Sequence, residues 1–587
     1  NDKYGIQLRT SSYNSLSGNT TDSNDKYGIQ LRTSSYNSLS GNTANSNYYG
    51  IFLYYSSSNN TLTNNTANSN TYSGIYLYSS SNSTLNNNTM SGNTYNFGVY
   101  SGSLSGYTQN IDTSNTVDGK PVYYWINQRD KQIPDDAGYV GVVNSTNITV
   151  KDLTLSHNRE GVLFVYTSNS RIENVSASNN RDGITLSSSC NNSLTNNTAN
   201  SNNRDGIGLH FSSNNTLTSN TANSNNDYSI YLGWSSNNTL NNNTMSGNTY
   251  NFGVYSGSLS GYTQNIDTSN TVDGKTVYYW INQQDKQIPD DAGYVGVVNS
   301  TNITVKDLTL SHNREGVLFV YTNNSKIENV SASNNYYGIY LYSSSNNTLI
   351  SNTVNSNDCG ISLYSSSSNL IYNNYFNNTN NAQESGNNTW NITKTAGTNI
   401  IGGAYIGGNY WSDYAGEDTD GDGLGDTRIP YNSSGNIKYG GDYLPLVKAS
   451  ASSVFDTGAG TYPSIQGTHE GEIKPSCDIV VSKMYTYPCA GTGGHTKSIE
   501  IYENGDLKAS GNWSSYQGDW QNIAITPSVT LKKGQEYRYV IETGSYPQII
   551  HAHEYKDAIG GTITCDKFTD VNGKIYTDWI PAIKFWS

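Results

Sequence analysis

Residues 74–89 read GIYLYSSSNSTLNNNT: a glycine, an alternating Ile-x-Leu strand, a Ser/Asn turn and a short segment ending in Asn-Asn-Thr. The leading glycine recurs every 22–24 residues wherever the run is uninterrupted, at Gly5, Gly28, Gly50, Gly74, Gly98, Gly161, Gly183, Gly206, Gly253, Gly316, Gly338 and Gly360. A fixed period of this size with strand-like content is typical of a β-solenoid, in which each repeat forms one turn. Ile75 and Leu77 are expected to point inward and the residues between them outward. We predict about 17 turns and a rod on the order of 80 Å long.

The composition is consistent with a thin solenoid core and excludes some classes of binding partner. Of 587 residues only 34% are hydrophobic, and the net charge is −14. Such an acidic chain lacks the clustered Lys and Arg that bind nucleic acid or anionic membranes, and no apolar segment of 18 residues occurs. We therefore predict neither a nucleic-acid partner nor a membrane span. The absence of a signal peptide and the start inside a turn predict a processed form, or a fragment, of a secreted protein.

Large parts of the array are nearly verbatim copies. Residues 1–23 and 24–46 differ at two positions, and residues 88–180 recur at 243–335 with four differences among 93 positions. Each long copy contains a segment, near 110–140 and 265–295, that interrupts the plain repeat and predicts a β-hairpin insert. Growth by copying whole units changes the length of the array, which a rod tolerates better than a single catalytic cleft does.

Asparagine is abundant at the predicted turns. Because Asn tolerates left-handed backbone conformations, its repetition once per turn predicts ladders of amide hydrogen bonds along the rod. Many of these residues also stand in Asn-x-Ser/Thr sequons, which are glycosylation candidates in a secreted protein: Asn59, Asn64, Asn87, Asn144, Asn147, Asn237, Asn391 and Asn512. Both interpretations stay open, since a chain rich in Asn and Thr contains such matches by composition alone.

The strongest ligand signal is the acidic loop 418–426, which reads DTDGDGLGD. Carboxylates at loop positions 1, 3, 5 and 9 and a glycine at position 6 match the first part of an EF-hand calcium loop. We predict a Ca²⁺ site whose ligands are four carboxylates and one carbonyl: Asp418, Asp420, Asp422, Asp426 and Leu424. Position 12 is Ile429 instead of a bidentate glutamate, so a further ligand has to come from elsewhere or from water.

Four Arg–carboxylate pairs precede leading glycines, at residues 159–160, 181–182, 204–205 and 314–315. A polysaccharide lyase or hydrolase needs such acids and bases on one face of neighbouring turns. Because the pairs recur instead of marking one place, we predict cross-turn salt bridges and assign no catalytic residue. In the alternative, an enzyme, Asp182 and Asp205 would be needed for turnover.

Outward aromatic residues form a second recurring pattern, including Phe52, Tyr76 and Tyr340. We expect them to stack on the rings of neighbouring turns. Contact with sugars or with another subunit is the alternative.

Three further segments make a family resemblance specific. Together with the repeats, the segments DGKPVYYW (118–125), NSTNITVKDLTL (144–155) and GGNYWSDY (407–414) resemble the NosD-type parallel β-helix repeats of surface proteins from Methanosarcina-like archaea. The resemblance covers residues 1 to about 448 and implies a right-handed parallel β-helix on the outside of a cell. A copper role, suggested by the NosD name, requires clusters of Met, His or Cys. Those residues are scattered through the array, so we do not predict copper binding.

The repeat pattern stops at about residue 449. Short strand-like runs separated by turn signals such as Asn504-Gly505 predict an antiparallel β-sandwich over 449–587, which resembles a module appended to archaeal surface proteins. The predicted organisation is all-β: a right-handed parallel β-helix over 1–390, its C-terminal end with the acidic loop over 391–448, and the sandwich.

These features predict a non-enzymatic structural protein of the archaeal cell surface, a subunit of an extracellular filament, sheath or adhesive layer. The first turn begins at Asn1 without a cap, and an uncapped solenoid end exposes unpaired strand edges. We therefore expect identical chains to associate head to tail through the rod ends and the C-terminal module. Cell-surface glycans are the other predicted partner. A carbohydrate-active enzyme and a glycan-binding adhesin on the same scaffold are the alternatives.

Overall fold

The computed structural model describes residues 3–419, 422–448, 454–513, 521–544 and 546–587. It divides into two compact units, residues 1–446 and 447–587. Asp420 of the predicted calcium loop and residues 449–453, where the predicted sandwich begins, lie outside the described residues. The described helices are the single turns Leu104–Tyr107 and Leu259–Tyr262 and the 3-10 turn Ser433–Gly435. None of them is long or apolar enough to cross a bilayer.

The first unit is a right-handed parallel β-solenoid of about 17 turns, which confirms the predicted fold class. Its long strands, which contain the Ile-x-Leu motif, stack in parallel as the first face. Before the first insert they are Tyr4–Arg9, Tyr27–Arg32, Tyr49–Tyr54, Ser73–Tyr78 and Tyr95–Tyr100. Between the inserts they are Lys120–Ile126, Tyr139–Val143, Glu160–Val165, Asp182–Ser187, Ile207–His210, Tyr228–Gly233 and Tyr250–Tyr255. After the second insert they are Lys275–Ile281, Ala292–Val298, Glu315–Val320, Tyr337–Tyr342, Cys359–Tyr364 and Asn380–Glu384.

Shorter strands form the other two faces. Second-face strands are Ser15–Ser17, Ser38–Ser40, Thr61–Thr63, Thr84–Asn86, Asn110–Ile111, Arg129–Gln132, Thr146–Lys151, Arg171–Glu173, Ser193–Thr195, Thr216–Thr218, Thr239–Asn241, Asn265–Ile266, Gln284–Gln287, Thr301–Lys306, Lys326–Glu328, Thr348–Ile350 and Leu370–Tyr372. Third-face strands are Thr89–Met90, Thr116–Val117, Thr154–Leu155, Ser176–Ala177, Thr221–Asn223, Thr244–Ser246, Thr271–Val272, Thr309–Ser311, Ser331–Ser333, Thr353–Asn355, Tyr375–Asn377 and Tyr410–Trp411. A small hairpin, Thr395–Ala396 with Tyr405–Ile406, follows the last turns.

The core forms because identical residues stack in register. Ile29 pairs with Ile51, and Ile51 with Ile75, and all three are completely buried. Burial of each such side chain stabilises the fold by roughly 1.5–3 kcal/mol. The leading glycine is required for close approach, since a Cβ on Gly28 would lie 2.8 Å from the carbonyl oxygen of Gly50. The sequence alternation therefore fixes both the inward face and the register.

Buried asparagines form the predicted amide ladders. Asn42 Nδ2 donates to Asn65 Oδ1 at 2.9 Å, and Asn65 Nδ2 donates to Asn88 Oδ1 at 2.9 Å. Each of these amides also donates to a backbone carbonyl of another turn, as Asn65 does to Leu39 at 3.0 Å. The ladders thus satisfy buried polar groups at the corners of successive turns, where an unpaired group would cost stability.

The segment predicted as a hairpin insert in each long copy contains a short hairpin only at its start, and the rest continues the solenoid. Thr116–Val117, which continues the third face, pairs antiparallel with the start of Lys120–Ile126. Lys120–Ile126 then pairs in parallel with Tyr139–Val143, so the first face resumes. The second insert repeats this arrangement at Thr271–Val272 and Lys275–Ile281.

The second unit is antiparallel, as predicted. Its strands are Val454–Asp456, Tyr462–Pro463, Gly467–Pro475, Ile479–Thr486, Thr496–Glu503, Asp506–Asn512, Asn522–Leu531, Tyr537–Thr543, Gln548–His551, Lys556–Ala558, Gly561–Ile563, Lys567–Asp570, Ile575–Tyr576, Trp579–Pro581 and Ile583–Trp586. Side chains from both halves of its main sheet, such as Met484 and Tyr539, share one buried core. This shared core is the packing that a sandwich requires.

Candidate functional site

A cavity of about 330 Å³ lies beside the first insert, between residues 100–107 and three first-face strands: Glu160–Val165, Asp182–Ser187 and Ile207–His210. The strands leave space there because two outward positions on the cavity floor carry the small side chains Thr185 and Ser187. We call this space the Glu160 cavity.

Glu160 is the most unusual group on the cavity wall. Its side chain is 97% buried, since only 3% remains exposed, yet its Oε2 has no hydrogen-bond partner among the described residues. Burial raises the pKa of Glu160 to about 7, and the neighbouring Asp182 acts in the same direction. This oxygen has almost no exposed surface, and the buried hydroxyl of the neighbouring Tyr139 also has no hydrogen-bond partner among the described residues, so both groups cost stability.

Arginines neutralise the other carboxylates of the cluster. Arg181 Nη1 lies 2.8 Å from Asp182 Oδ2, and Arg204 Nη2 lies 3.0 Å from Asp205 Oδ2. Arg204 Nε also approaches two further turns, at 3.7 Å from Asp182 Oδ1 and 3.9 Å from Asp227 Oδ2. The contacts of Arg204 are the predicted cross-turn salt bridges, whereas Arg181–Asp182 and Arg314–Glu315 pair within one turn.

His210 completes the polar side of the cavity. Burial lowers its pKa, and the positive charge of Arg204 lowers it further. A neutral imidazole at this place can donate or accept a hydrogen bond without adding charge.

Exposed aromatic residues form the outer rim. Tyr166, Phe211 and Trp234 all line the cavity and are 45%, 59% and 45% exposed. The Phe211 and Trp234 rings stack with centroids 5.3 Å apart and planes 11° apart. Large apolar faces in water beside a polar cavity are a common arrangement in ligand sites.

The Arg–carboxylate pairs recur along the array as expected, and three of them fall on adjacent turns beside the cavity. Glu160, Arg181, Asp182 and Arg204 line a single cavity because a parallel solenoid stacks equivalent positions of successive turns. Sequence reasoning also missed Phe211 and Trp234. The available signal was an aromatic residue directly after the strand, where most other turns have Ser or Thr.

The expected stacking of aromatic residues on neighbouring turns is confirmed. Phe52 and Tyr76 stack at 5.3 Å with planes 7° apart, and Tyr27 stacks on Phe52 at 5.8 Å. Each stacked ring covers a face of its neighbour, so stacking accounts for much of the outward aromatic pattern without a ligand.

In the second copy, tyrosine side chains fill the space that corresponds to the Glu160 cavity. Tyr340 and Tyr342 occupy the register positions of Thr185 and Ser187. Tyr342 Oη donates to the Gly257 carbonyl at 2.7 Å, and its ring lies 5.6 Å from that of Tyr262. Tyr340 is 95% buried in the same cluster.

Glu315, the counterpart of Glu160, is fully partnered. Arg314 Nη1 donates to its Oε1, and Tyr294 Oη donates to its Oε2 at 3.3 Å. In the first copy Arg159 stacks on the Tyr76 ring instead, with its guanidinium carbon 3.8 Å from the centroid. In the first copy the corresponding groups, Glu160 Oε2 and the Tyr139 hydroxyl, both have no hydrogen-bond partner among the described residues.

In the described part of the acidic loop, the carboxylates accept hydrogen bonds from nearby groups of the same chain. Asp418 accepts hydrogen bonds from the backbone of Asp422 at 3.2 Å and of Gly423 at 2.7 Å, and Lys394 donates to Asp422. Asp426 Oδ2 accepts from the Thr419 backbone at 2.7 Å, while Leu424 is buried. Among the described residues, which omit Asp420, no group of three or more His, Cys, Asp or Glu is placed to hold a metal ion. Calcium binding therefore stays a prediction.

Six of the eight glycosylation candidates are exposed, and Asn59 and Asn391 are half-buried. Those in the solenoid turns, such as Asn64 (φ 56°) and Asn237 (φ 54°), occupy corners with left-handed backbone. Several amides are engaged across turns, as Asn147 Nδ2 is with Asp130 Oδ1 at 2.7 Å. The corner geometry explains why asparagine stands there, and modification stays a prediction.

Comparison with known proteins places the solenoid in a family. The family described as periplasmic copper-binding protein (NosD) matches residues 107–280 and 281–416, together more than half of the chain, and the right-handed β-helix region matches residues 1–127. No curated protein sequence matches the chain.

Solved structures that match include the A-module of the Azotobacter vinelandii mannuronan C-5 epimerase AlgE6, at 13% identity over 66% of this chain and 89% of that chain, with a TM-score of 0.21. A mutant of the periplasmic alginate epimerase AlgG matches at 16% identity over 51% and 78%, with a TM-score of 0.23. A tailspike mutant of E. coli bacteriophage HK620 matches at 8% identity over 92% and 86%, with a TM-score of 0.24. At these values the likeness carries no argument about ligand or reaction.

Proposed function

The chain belongs to the NosD family, and we propose that it is a non-enzymatic structural protein of the cell surface whose Glu160 cavity binds a glycan. The observation that carries the proposal is the open cavity of the first copy, which is lined by a cluster of charged side chains at one end and by exposed aromatic rings at the other. Glycans present hydroxyl donors and apolar C–H faces, which suit these two features.

Charge pairing favours binding over catalysis. Asp182 and Asp205 are both held by arginines, so neither is free to act as a nucleophile or base. A surface location is consistent with the periplasmic description of the family. Copper is not part of the proposal, because the described residues offer no clustered set of His and Cys ligands.

The test is glycan-array binding by the full chain and by a variant that copies the filled site. Thr185→Tyr with Ser187→Tyr introduces the two tyrosines that fill the second copy. Wild type is expected to bind a subset of glycans and the double variant to lose that binding while staying folded. If no glycan binds, or if the filled variant binds as wild type does, the proposal fails.

A carbohydrate-active enzyme is the second candidate. The raised pKa of Glu160, about 7, is suited to a general acid, and Asp182 lies on the next turn. Incubation with neutral and uronic-acid polysaccharides tests it by release of new chain ends. Turnover that Glu160→Gln or Asp182→Asn abolishes would support an enzyme, and intact polymers would support a binding site.

Assembly is a further part of the proposal: identical chains associate head to tail into a filament or sheath. Its support is the near-verbatim copying of a 93-residue unit with four differences, since a structural rod tolerates such growth. Electron microscopy of the purified protein should show linear assemblies. Single rods that do not elongate at high concentration would contradict it.

Ca²⁺ is the proposed ion of the loop formed by Asp418, Asp420, Asp422, Leu424 and Asp426. The spacing of the carboxylates supports it. Chelation is expected to lower the melting temperature, because an ion that binds only the folded state at 100 times its Kd stabilises by about 2.7 kcal/mol. Asp418→Asn should reduce the effect of chelator, and an unchanged melting temperature would count against the ion.

A further inference from the structure

A second space lies on the first face of the solenoid, before the first insert. It measures about 510 Å³, and its floor is formed by Gln30, Phe52 and Tyr76, which are buried and in register on three successive turns. Six half-buried tyrosines also line it: Tyr4, Tyr27, Tyr49, Tyr54, Tyr72 and Tyr78. We call this space the tyrosine groove. It shares no lining residue with the Glu160 cavity.

The tyrosine rings stack along the rod, which determines what they offer a ligand. Tyr4 and Tyr27 stack with centroids 5.2 Å apart, and Tyr27 and Tyr49 stack at 5.4 Å. Because stacked rings cover each other's faces, a ligand in the groove contacts their edges and hydroxyl groups. A phenolic hydroxyl can both donate and accept a hydrogen bond. The lining therefore suits a ligand that carries several hydroxyl groups.

The charged groups that line the groove are positive. Among the described residues they are Arg32 and Arg159, and no Asp or Glu lines the groove. The guanidinium carbon of Arg32 lies 5.6 Å from the centroid of the Tyr54 ring. Arg159 is buried next to Glu160, so the exposed Arg32 is the group that a ligand can contact. A guanidinium group binds a carboxylate or a similar oxyanion through two parallel N–H groups.

Arg9 adds a second exposed cation beside Arg32. The two residues are register partners on adjacent turns, whose backbones lie about 4.8 Å apart. Neither forms an ion pair with another residue that the structure describes. Like charges placed opposite each other on neighbouring strands repel, and an anion bound to both would offset that repulsion. The pair therefore favours a negatively charged group, although the net charge of the chain is −14.

The turns at the same distance before the second insert lack these groups. Ser187 and Gly208 stand there at the positions that Arg32 and Phe52 occupy before the first insert. The exposed arginines and the aromatic floor therefore belong to the turns that precede the first long copy.

We propose that the tyrosine groove binds an acidic oligosaccharide, whose carboxylate or sulfate group contacts Arg32 and Arg9 and whose hydroxyl groups contact the tyrosines. An oligosaccharide combines the two features that suit this lining, an oxyanion and several hydroxyl groups, on a chain long enough to span several turns. The site goes beyond the proposed function, because it is separate from the Glu160 cavity and either site can fail without the other.

Calorimetric titration of the full chain with four probes tests the proposal. Hexagalacturonate carries carboxylates, and its fully methyl-esterified form has the same sugar chain without the charge. A sulfated galactose hexasaccharide supplies the other oxyanion, and a glutamate hexapeptide supplies carboxylates without sugar. Arg32→Gln removes the contact. Arg171→Gln is the matched control, since it removes the same charge from an exposed residue of the second face.

At least one of the two acidic hexasaccharides should bind wild type and Arg171→Gln equally. Arg32→Gln should weaken this binding by a factor on the order of ten, because a hydrogen bond between charged groups is lost. Added salt should weaken it as well, since the arginines are exposed. The binding should persist in Thr185→Tyr/Ser187→Tyr, which changes only the Glu160 cavity.

Four outcomes would overturn the inference. Equal binding by Arg32→Gln and wild type would reject the groove, and loss of that binding in Thr185→Tyr/Ser187→Tyr would assign it to the Glu160 cavity. Equal binding of the methyl ester would reject the acidic class, and equal binding of the glutamate peptide would reject the saccharide. If neither acidic hexasaccharide binds, the groove is rejected, while the glycan array decides separately whether the Glu160 cavity binds a glycan.

Discussion

The two long copies place nearly the same sequence in two different surroundings. In the first copy the following turn carries Asp182, Thr185 and Ser187, and in the second the same register positions carry tyrosines 337, 340 and 342. The tyrosines fill the space beside the insert, and the smaller residues leave a cavity of about 330 Å³. The neighbouring turn therefore decides whether the space beside the copied segment is filled or open, because each turn of a solenoid contacts only its neighbours.

The largest expected effect compares the same substitution in both copies at pH 8. Glu315→Gln leaves the buried Arg314 guanidinium without its carboxylate and should lower the free energy of unfolding by about 3–5 kcal/mol, less the gain from removing a carboxylate whose pKa burial raises to about 7. Glu160→Gln removes a buried carboxylate that has no hydrogen bond to Oε2 from the described residues, so it should not destabilise the protein. Urea denaturation measures both, and equal losses would show that the two glutamates have equivalent surroundings.

The next effect tests the tyrosine filling directly. Tyr342→Ser recreates the residue of the first copy and removes a ring that is 92% buried. It should lower the free energy of unfolding by about 2–4 kcal/mol, as other large-to-small core changes do. Ser187→Tyr is the reciprocal control and should cost little, because it extends into an existing cavity. A negligible loss in Tyr342→Ser would mean that Tyr342 does not fill the second copy.

The sequence was sufficient for the solenoid but not for the site. Period and alternation determine which residues face inward, since identical side chains such as Ile29 and Ile51 can stack only in register. The cavity depends on which side chains of different turns meet, and the contrast between Ser187 and Tyr342 is visible only once the registers are known. The partners of Glu160 and Glu315 differ although their own segments agree, so no local pattern could separate them.

A smaller effect concerns how the stability of the protein depends on pH through Glu160 in the first copy. Burial raises the pKa of Glu160 from 4.5 to about 7, so its protonated form is favoured in the folded state. Its contribution to stability is complete below about pH 4.5 and is lost as the pH rises through about 7. Relative to wild type, Glu160→Gln should therefore gain about 1–3 kcal/mol between pH 4.5 and pH 8.

The control for this pH dependence is Glu173→Gln, which changes an exposed glutamate of the same copy. Its stability should follow the wild-type pH curve throughout. Parallel curves for wild type and Glu160→Gln would show that Glu160 ionises normally in the folded protein.

The smallest expected effect tests whether the copied sequence itself contributes to the difference. Pro121→Thr, Arg129→Gln, Ser168→Asn and Arg171→Lys together convert residues 88–180 into the second copy. All four positions are exposed or half-buried, and such surface changes usually alter stability by less than about 0.5 kcal/mol each. The quadruple variant should keep its cavity, its unfolding free energy and its glycan binding, because Thr185, Ser187 and Phe211 are unchanged. If it loses glycan binding while staying folded, the copied segment and not the neighbouring turn makes the site.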